Sequence, residues 1–269
     1  MVKVIPLKYG TVFKRVFGQL EVFKAFAKDV VGVDLNISQV QTEYEYPETI
    51  GYVKTRYDLF AEDEIGRVIV EIQHVKEADF YDRFLYYHLI SLAEQVKGYQ
   101  AYGFDRAVYT IVVLTSVPQD SSVDFSVAVS HMNPLTEFGR LVEVYPHRLI
   151  FLAPRLVNDK TPPLIREWLE LIKDSLDEEV DETHYLRPLF QEMIAAMKAT
   201  TITPEALSEI KDEMAWEMAK TQFHEEGKAE GSQQKAKEIA QQLLDVLDDE
   251  TISLKTGLTL AQVRQLRQK

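Results

Sequence analysis

Apolar residues recur every three or four positions in the segment 11–31, at positions 13, 16, 17, 20, 23, 26, 27 and 30. This spacing places them on one side of a helix, so it predicts one amphipathic helix, and Gly32 is a suitable residue to end it. Residues 37–46 then alternate weakly between polar and apolar side chains, which is typical of a strand.

The next two segments alternate more clearly. Residues 52–60 and 67–73 each place apolar side chains at every second position, and the short segment between them contains a glycine. This pattern predicts a β-hairpin. With the turn centred between Glu64 and Ile65, Asp58 lies opposite Glu71, and directly opposed Cβ atoms are about 4.5–5.5 Å apart. Two carboxylates are therefore expected to face each other on the polar side of the hairpin.

A long aromatic-rich helix is predicted over 77–103, with its end near Gly98 or Gly103. The continuous apolar run at 107–116 predicts a strand that is buried on both faces. The element order is therefore a helix, a three-stranded meander, a helix and a strand. This order indicates an α/β protein with a mixed sheet.

The remainder of the chain is predicted to be mainly helical. We expect one α/β domain at 1–175, a helical extension at 176–250 and a small basic helical tail at 251–269. The tail carries four Lys or Arg and no acidic residue. An apolar stripe within 205–249 makes self-association through this region an expectation, although the stripe is too short for a coiled coil.

Composition excludes several classes of site. The sequence contains no cysteine, so disulfides, thiol catalysis, iron–sulfur clusters and cysteine zinc sites are impossible. The N-terminal residues lack a signal-peptide pattern and no apolar run is long enough to span a membrane, so we expect a cytoplasmic protein without a membrane partner. The net charge of −13 argues against a surface coated for nucleic acid, so DNA contacts must come from local basic groups.

The predicted hairpin supplies candidate chemistry. Mg²⁺ typically binds one or two carboxylates together with water and phosphate oxygens, and opposed Asp58 and Glu71 provide that set. Gln73 shares a face with Glu71 and could hydrogen-bond the attacking water or the phosphate, whereas Lys54 and Arg56 could hold a phosphate backbone. The alternative is an ordinary half-buried hairpin whose polar face is solvated, and the spacing alone favours that alternative.

The helix that follows adds two candidates. Gln95 and Tyr99 share a helical face and could orient a scissile phosphate if the helix packs beside Glu71. Ordinary core packing is the alternative for Tyr99, and a structural role is the safer interpretation for His88 on the same face.

These residues carry a resemblance to a known family. The stretch 55–116 resembles the PD-(D/E)XK nuclease superfamily and, more narrowly, the Rpn family of recombination-promoting nucleases, whose members are also described as transposases. Members carry an Asp on the second core strand, E-x-Q or E-x-K on the third, and then a helix with an Arg followed by Tyr residues. The matching positions here are Asp58, Glu71, Gln73, Arg83 and Tyr86/Tyr87, and a further Q-x-x-x-Y motif of the superfamily matches Gln95 and Tyr99.

The resemblance implies a restriction-endonuclease-like core and a metal-dependent DNA endonuclease, associated with recombination or transposition. Asp58 and Glu71 would bind Mg²⁺, with Mn²⁺ as a substitute, and activated water would hydrolyse the phosphodiester without a covalent intermediate. Two positions depart from the family. Gly10 stands where many relatives have Asp, and Gln73 replaces the superfamily's lysine. The alternative function is therefore a weak or inactive nuclease fold that binds DNA or protein. Whether Glu21 or Glu43 adds a further ligand is left open.

Overall fold

The computed structural model describes residues 1–47, 53–74, 80–96, 103–116, 123–244 and 247–267. The chain divides into two compact units, Met1–Lys211 and Asp212–Lys269. The predicted boundaries after residues 175 and 250 stay predictions, as does self-association through 205–249. None of the described helices is both long enough and apolar enough to cross a membrane.

Two helices, rather than the single predicted one, occupy the start of the first unit. They are α1, Gly10–Phe17, and α2, Leu20–Val31. The break lies at Gly18, where an added Cβ would come within 2.3 Å of the Lys14 carbonyl oxygen. Only glycine fits this close backbone approach, whereas apolar periodicity continues through it and hides the break. The end of α2 is as predicted, because Gly32 adopts a left-handed φ of 76°.

The described strands of the main sheet are β2 Gln41–Tyr44, β3 Tyr57–Glu62, β4 Gly66–Gln73, β5 Ala107–Leu114, β6 Val127–His131 and β7 Arg148–Leu152. They lie in the order β2-β3-β4-β5-β7-β6. Strands β4, β5 and β7 are parallel neighbours, and the other pairs are antiparallel. The predicted mixed sheet and meander are therefore confirmed.

Helix α3, Phe80–Ala93, covers one face of this sheet. Its Phe84 packs with Val112 of β5, and Leu92 packs with Val108 of the same strand. The intervening β5 side chains are also buried, which confirms a strand covered on both faces. The predicted helix end near Gly98 or Gly103 is wrong, since α3 ends at Ala93, where tighter turns follow.

The same helix buries the polar side of the β3–β4 hairpin. Arg67 and Glu71 are only 3% and 4% exposed, and Gln73 is also buried. A solvated polar face, the alternative that the spacing favoured, is therefore excluded. The alternation predicted which residues share a face, but it carried no information on which helix covers them.

The remaining helices of the first unit pack around one tryptophan. Trp168 of α4, Pro163–Ser175, contacts the rings of Phe17, Phe26 and Phe190, the last of these from α5, Pro188–Met197. Pro163 stands at the first position of α4, where a residue without an amide donor is tolerated. Two short strands, β1 Val2–Lys3 and β8 Glu179–Val180, pair with each other in antiparallel orientation.

The second unit is helical. The helix α6, Pro204–Leu243, continues into it, and α7, Asp249–Thr256, and α8, Leu260–Arg267, follow. A left-handed Gly257 ends α7, and the Thr259 hydroxyl accepts from the Gln262 amide at the start of α8. These helices bury a small apolar cluster made of Ala240, Ile252, Leu258 and Val263.

Candidate functional site

Asp58 and Glu71 meet at one end of the β3–β4 ladder. The regular pairs run from Glu62↔Arg67 to Leu59↔Val70, which is the predicted register. The next pair in this register is Asp58 and Glu71, but here side chains replace the backbone ladder. The Asp58 amide donates to Glu71 Oε1 at 3.2 Å, and the Ile72 amide donates to Asp58 Oδ2 at 3.0 Å. Each carboxylate therefore binds a backbone amide that the ladder no longer satisfies.

Glu71 is buried and Asp58 is half-buried, and the charges of this acidic pair are poorly compensated. Burial is the main cause that raises the pKa of the Glu71 carboxyl well above its usual range, and the charge of Asp58 raises it further. Burial also raises the pKa of Asp58. No donor in the described part of the chain bonds Asp58 Oδ1 or Glu71 Oε2. A cation that bound these two oxygens would relieve both the desolvation and the repulsion.

Gln73 lies two residues beyond Glu71 on the same strand. Its side-chain oxygen accepts a hydrogen bond from Arg83 Nη2 of α3. The Arg83 guanidinium also lies 4.6 Å from the centre of the Phe84 ring. Its charge lowers the pKa of both Asp58 and Glu71, although burial outweighs this effect. The structure thus brings Gln73 and Arg83 to the edge of the carboxylate pair.

Lys54 and Arg56 precede β3 on the exposed side of the site. Arg56 is 63% exposed and donates from Nε to Glu45 Oε1 at 2.8 Å, and its Nη1 lies 3.9 Å from Glu43 Oε2. Both basic side chains are therefore open to a ligand in solvent, and neither is bonded to the carboxylate pair.

Gln95 does not join this group. Its side-chain oxygen accepts from the Arg106 amide at 2.8 Å, and its nitrogen donates to the Arg106 carbonyl at 3.3 Å. Arg106 precedes Ala107, whose strand partner is Gly66, so Gln95 lies about 20 Å along the sheet from Glu71. The expected position beside the phosphate is therefore wrong for Gln95, because α3 crosses towards the other end of β4. Tyr99 lies outside the described residues.

The two acidic residues that the sequence left open lie in different places. Glu21 is exposed on α2, with Lys24 3.9 Å away. Glu43 lies on β2, next to Asp58 of β3, and forms an ion pair with Lys14 of α1. Sequence reasoning missed Lys14, because nothing in its spacing relates it to a hairpin more than forty residues later.

The donor set fits Mg²⁺ better than a metal that prefers an all-protein cage. Within the described ranges, no group of three or more His, Cys, Asp or Glu side chains could hold a metal ion. Mg²⁺ needs fewer protein ligands, since it keeps several waters and commonly binds through one or two carboxylates. The open oxygens of the carboxylate pair meet that requirement, and Asp58 and Glu71 are the residues that would hold the ion.

A family model described as PD-(D/E)XK nuclease family transposase matches residues 10–223. The match covers α1 to α5 and the whole main sheet, and extends into α6. No curated protein and no solved structure matches the chain.

Proposed function

The chain belongs to the PD-(D/E)XK nuclease family of transposases, and on that premise we propose that it is a metal-dependent DNA endonuclease. The observation that carries the proposal is the pairing of buried Glu71 with half-buried Asp58, with one oxygen of each carboxylate left without a donor in the described chain. A buried like-charge pair is costly to folding, and such uncompensated groups cluster at functional sites.

Each residue has a defined part in this proposal. Asp58 and Glu71 hold Mg²⁺ or Mn²⁺, which when bound activates water and stabilises charge on the phosphate. Gln73 orients water or phosphate, and Arg83, which donates to it, adds positive charge at the edge of the pair. In the reaction, the attacking water gives up one proton to solvent as its oxygen forms a new bond to phosphorus, the bridging P–O bond breaks, and the departing alkoxide takes a proton from solvent.

DNA is the proposed substrate, in a role linked to recombination or transposition. The overall charge of −13 repels a polyanion, so binding depends on local cations. Lys54 and Arg56 supply them on the exposed side of the site, where they can contact phosphates without reading sequence.

A plasmid assay tests the proposal. Supercoiled DNA is incubated with the full-length protein and Mg²⁺ or Mn²⁺, and nicked and linear products are quantified. We expect wild-type cleavage that chelation stops, and a fall of at least about 100-fold in Asp58→Asn and Glu71→Gln. Glu64→Gln, at an exposed carboxylate in the turn of the same hairpin, is the matched control and should cleave like wild type. Undiminished cleavage by Asp58→Asn would reject the assigned site.

A second candidate function is a nuclease fold that binds DNA or protein without cleaving. Two observations favour it, namely the neutral Gln73 in place of a lysine and Gly10 at the first position of α1. Calorimetric titration separates the two functions. Absence of Mg²⁺ binding at millimolar concentration, with DNA association retained, would support the binding module.

A further inference from the structure

A third acidic residue, Glu43, lies on β2 directly across from Asp58 of the carboxylate pair. Thr42 pairs with Leu59 and Tyr44 pairs with Tyr57, so Glu43 is the neighbour of Asp58 across β2 and β3. The backbone of Glu43 has a φ of 53°, in the left-handed region that residues other than glycine rarely adopt. Backbone strain of this kind persists where the surroundings fix the position of a side chain.

Glu43 is fixed by Lys14. The Lys14 ammonium group donates to Glu43 Oε1, and the Lys14 side chain is only 22% exposed. The helix α1 packs against β3, where a Cβ at Gly18 would lie 3.5 Å from Leu59 Cδ2. The charge of Lys14 also lowers the pKa of Asp58 and of Glu71. The ammonium group is thus bonded to Glu43, which neighbours Asp58 across the strands, and its charge favours the ionised forms of Asp58 and Glu71.

The residue that follows Glu71 on the same face of β4 carries no charge. Gln73 is neutral, and Arg83 is engaged with Gln73 and the Phe84 ring. Negative charge spreads over the non-bridging phosphate oxygens as a phosphodiester is cleaved, so a preorganised cation lowers the barrier. An ammonium group has three donors, so Lys14 can keep its hydrogen bond to Glu43 Oε1 while a second N–H donates to a phosphate oxygen.

We propose that Lys14 is a catalytic residue, whose ammonium group contacts a non-bridging oxygen of the scissile phosphate, and that Glu43 is the positioning residue that holds it there. The inference rests on the proposed endonuclease function and assigns a positive charge for the phosphate to the first helix. Lys14 forms no covalent bond and transfers no proton, so the bond changes are those of the hydrolysis described above.

Steady-state cleavage of a labelled duplex by the full-length protein, with Mg²⁺, tests this role. We expect Lys14→Gln to lower kcat about 100-fold, with KM within threefold of wild type. Lys14→Arg should keep at least a tenth of the activity, because it keeps the charge. The control Lys24→Gln removes one charge from α2 and should stay within twofold. Calorimetry should give Lys14→Gln a Kd for Mg²⁺ within twofold of wild type.

The outcomes separate this inference from the proposed function. If Asp58→Asn abolishes cleavage and Lys14→Gln leaves kcat unchanged, the role of Lys14 is overturned while the function stands. If wild type and Asp58→Asn are equally inactive, both fall. A loss of Mg²⁺ binding in Lys14→Gln would also overturn the inference, since it would indicate a structural defect.

Glu43→Gln provides a second route should Lys14→Gln fail to fold. We expect a three- to tenfold lower kcat and an unchanged Kd for Mg²⁺, because the lysine loses its anchor and the metal keeps its ligands. Unchanged kcat would contradict the positioning role. A Kd for Mg²⁺ weakened more than tenfold would make Glu43 a metal ligand instead, and would equally overturn the proposal.

Discussion

The two ends of β4 carry buried charges in opposite states of compensation. At the start of the strand, the Arg67 guanidinium lies 2.8 Å from a Glu62 oxygen and 3.0 Å from a Glu94 oxygen. At the other end, Asp58 and Glu71 share a sign, and burial and repulsion raise the pKa of Glu71. The same helix, α3, covers both ends, so burial alone does not distinguish a structural polar cluster from a candidate site. The balance of charge does.

Hydrogen bonds make the same distinction. Arg67 Nη1 also donates to the Tyr46 hydroxyl at 2.7 Å and to the Ser91 carbonyl at 2.8 Å, so its fork is well satisfied. Asp58 and Glu71 each accept one hydrogen bond from a backbone amide. The second oxygen of each carboxylate has no donor in the described chain. The first arrangement suits a fixed core, and the second leaves capacity for a ligand.

The largest effect is expected from removing the ion pairs of Arg67 at the start of β4. Replacing Arg67 by Met leaves Glu62 and Glu94 without their cation, and we expect the free energy of unfolding to fall by about 3–5 kcal/mol. Urea denaturation followed by circular dichroism measures it. Adding Glu62→Gln and Glu94→Gln to the Arg67→Met protein should recover much of the loss, because no uncompensated charge remains. If the free energy of unfolding of the Arg67→Met protein is within about 1 kcal/mol of wild type, the cluster contributes only as much as a surface ion pair does.

A third buried polar group lies between the two ends. His88 of α3 is fully buried and hydrogen-bonded to Thr110 Oγ1, at the level of Ile69. Burial, with a smaller effect of His147, lowers the pKa of His88 to about 4. The unfolded chain binds this proton below about pH 6.5 and the folded chain only near pH 4, so stability falls as pH drops through that window.

We expect this titration to cost about 3 kcal/mol of stability between pH 6.5 and 4. His88→Asn keeps a polar partner for Thr110 and should remove most of that acid-dependent loss. His184→Asn, at an exposed histidine, is the control and should retain it. Denaturation curves at several pH values measure the slope, and an unchanged slope in His88→Asn would contradict the assignment.

Alternation along β3 and β4 was sufficient to predict the hairpin register, because a slip of one residue would expose Leu59 and Val70. It could not predict that Arg67 is buried, since periodicity describes one strand and not the helix packed on it. Gln95 was misplaced for the same reason, as its helix direction across the sheet is a tertiary property. Lys14 was missed because only the folded chain brings α1 to β2.

Metal binding is expected to stabilise the protein through the Asp58–Glu71 end of β4. Under the proposed function, Mg²⁺ binds the folded chain alone, so at 100 times its Kd it should add about 2.7 kcal/mol to the free energy of unfolding. Glu71→Gln should abolish this gain, whereas Glu64→Gln should keep it. Thermal unfolding with and without chelator measures the difference. An equal gain in Glu71→Gln would place the ion elsewhere.

The smallest expected effect has the opposite sign to the Arg67 prediction. Without metal, a raised carboxyl pKa means that the folded chain binds a proton more tightly than the unfolded chain, so stability falls as pH rises above the usual carboxyl range. Glu71→Gln removes the buried charge and should stabilise the chelated protein at pH 7 by about 1 kcal/mol, with less benefit at pH 4. Denaturation in chelator at both pH values checks this expectation. A variant less stable than wild type at pH 7 would mean that the Asp58 amide depends on the Glu71 carboxylate more than the pair suffers from repulsion, and the two ends of β4 would then be alike.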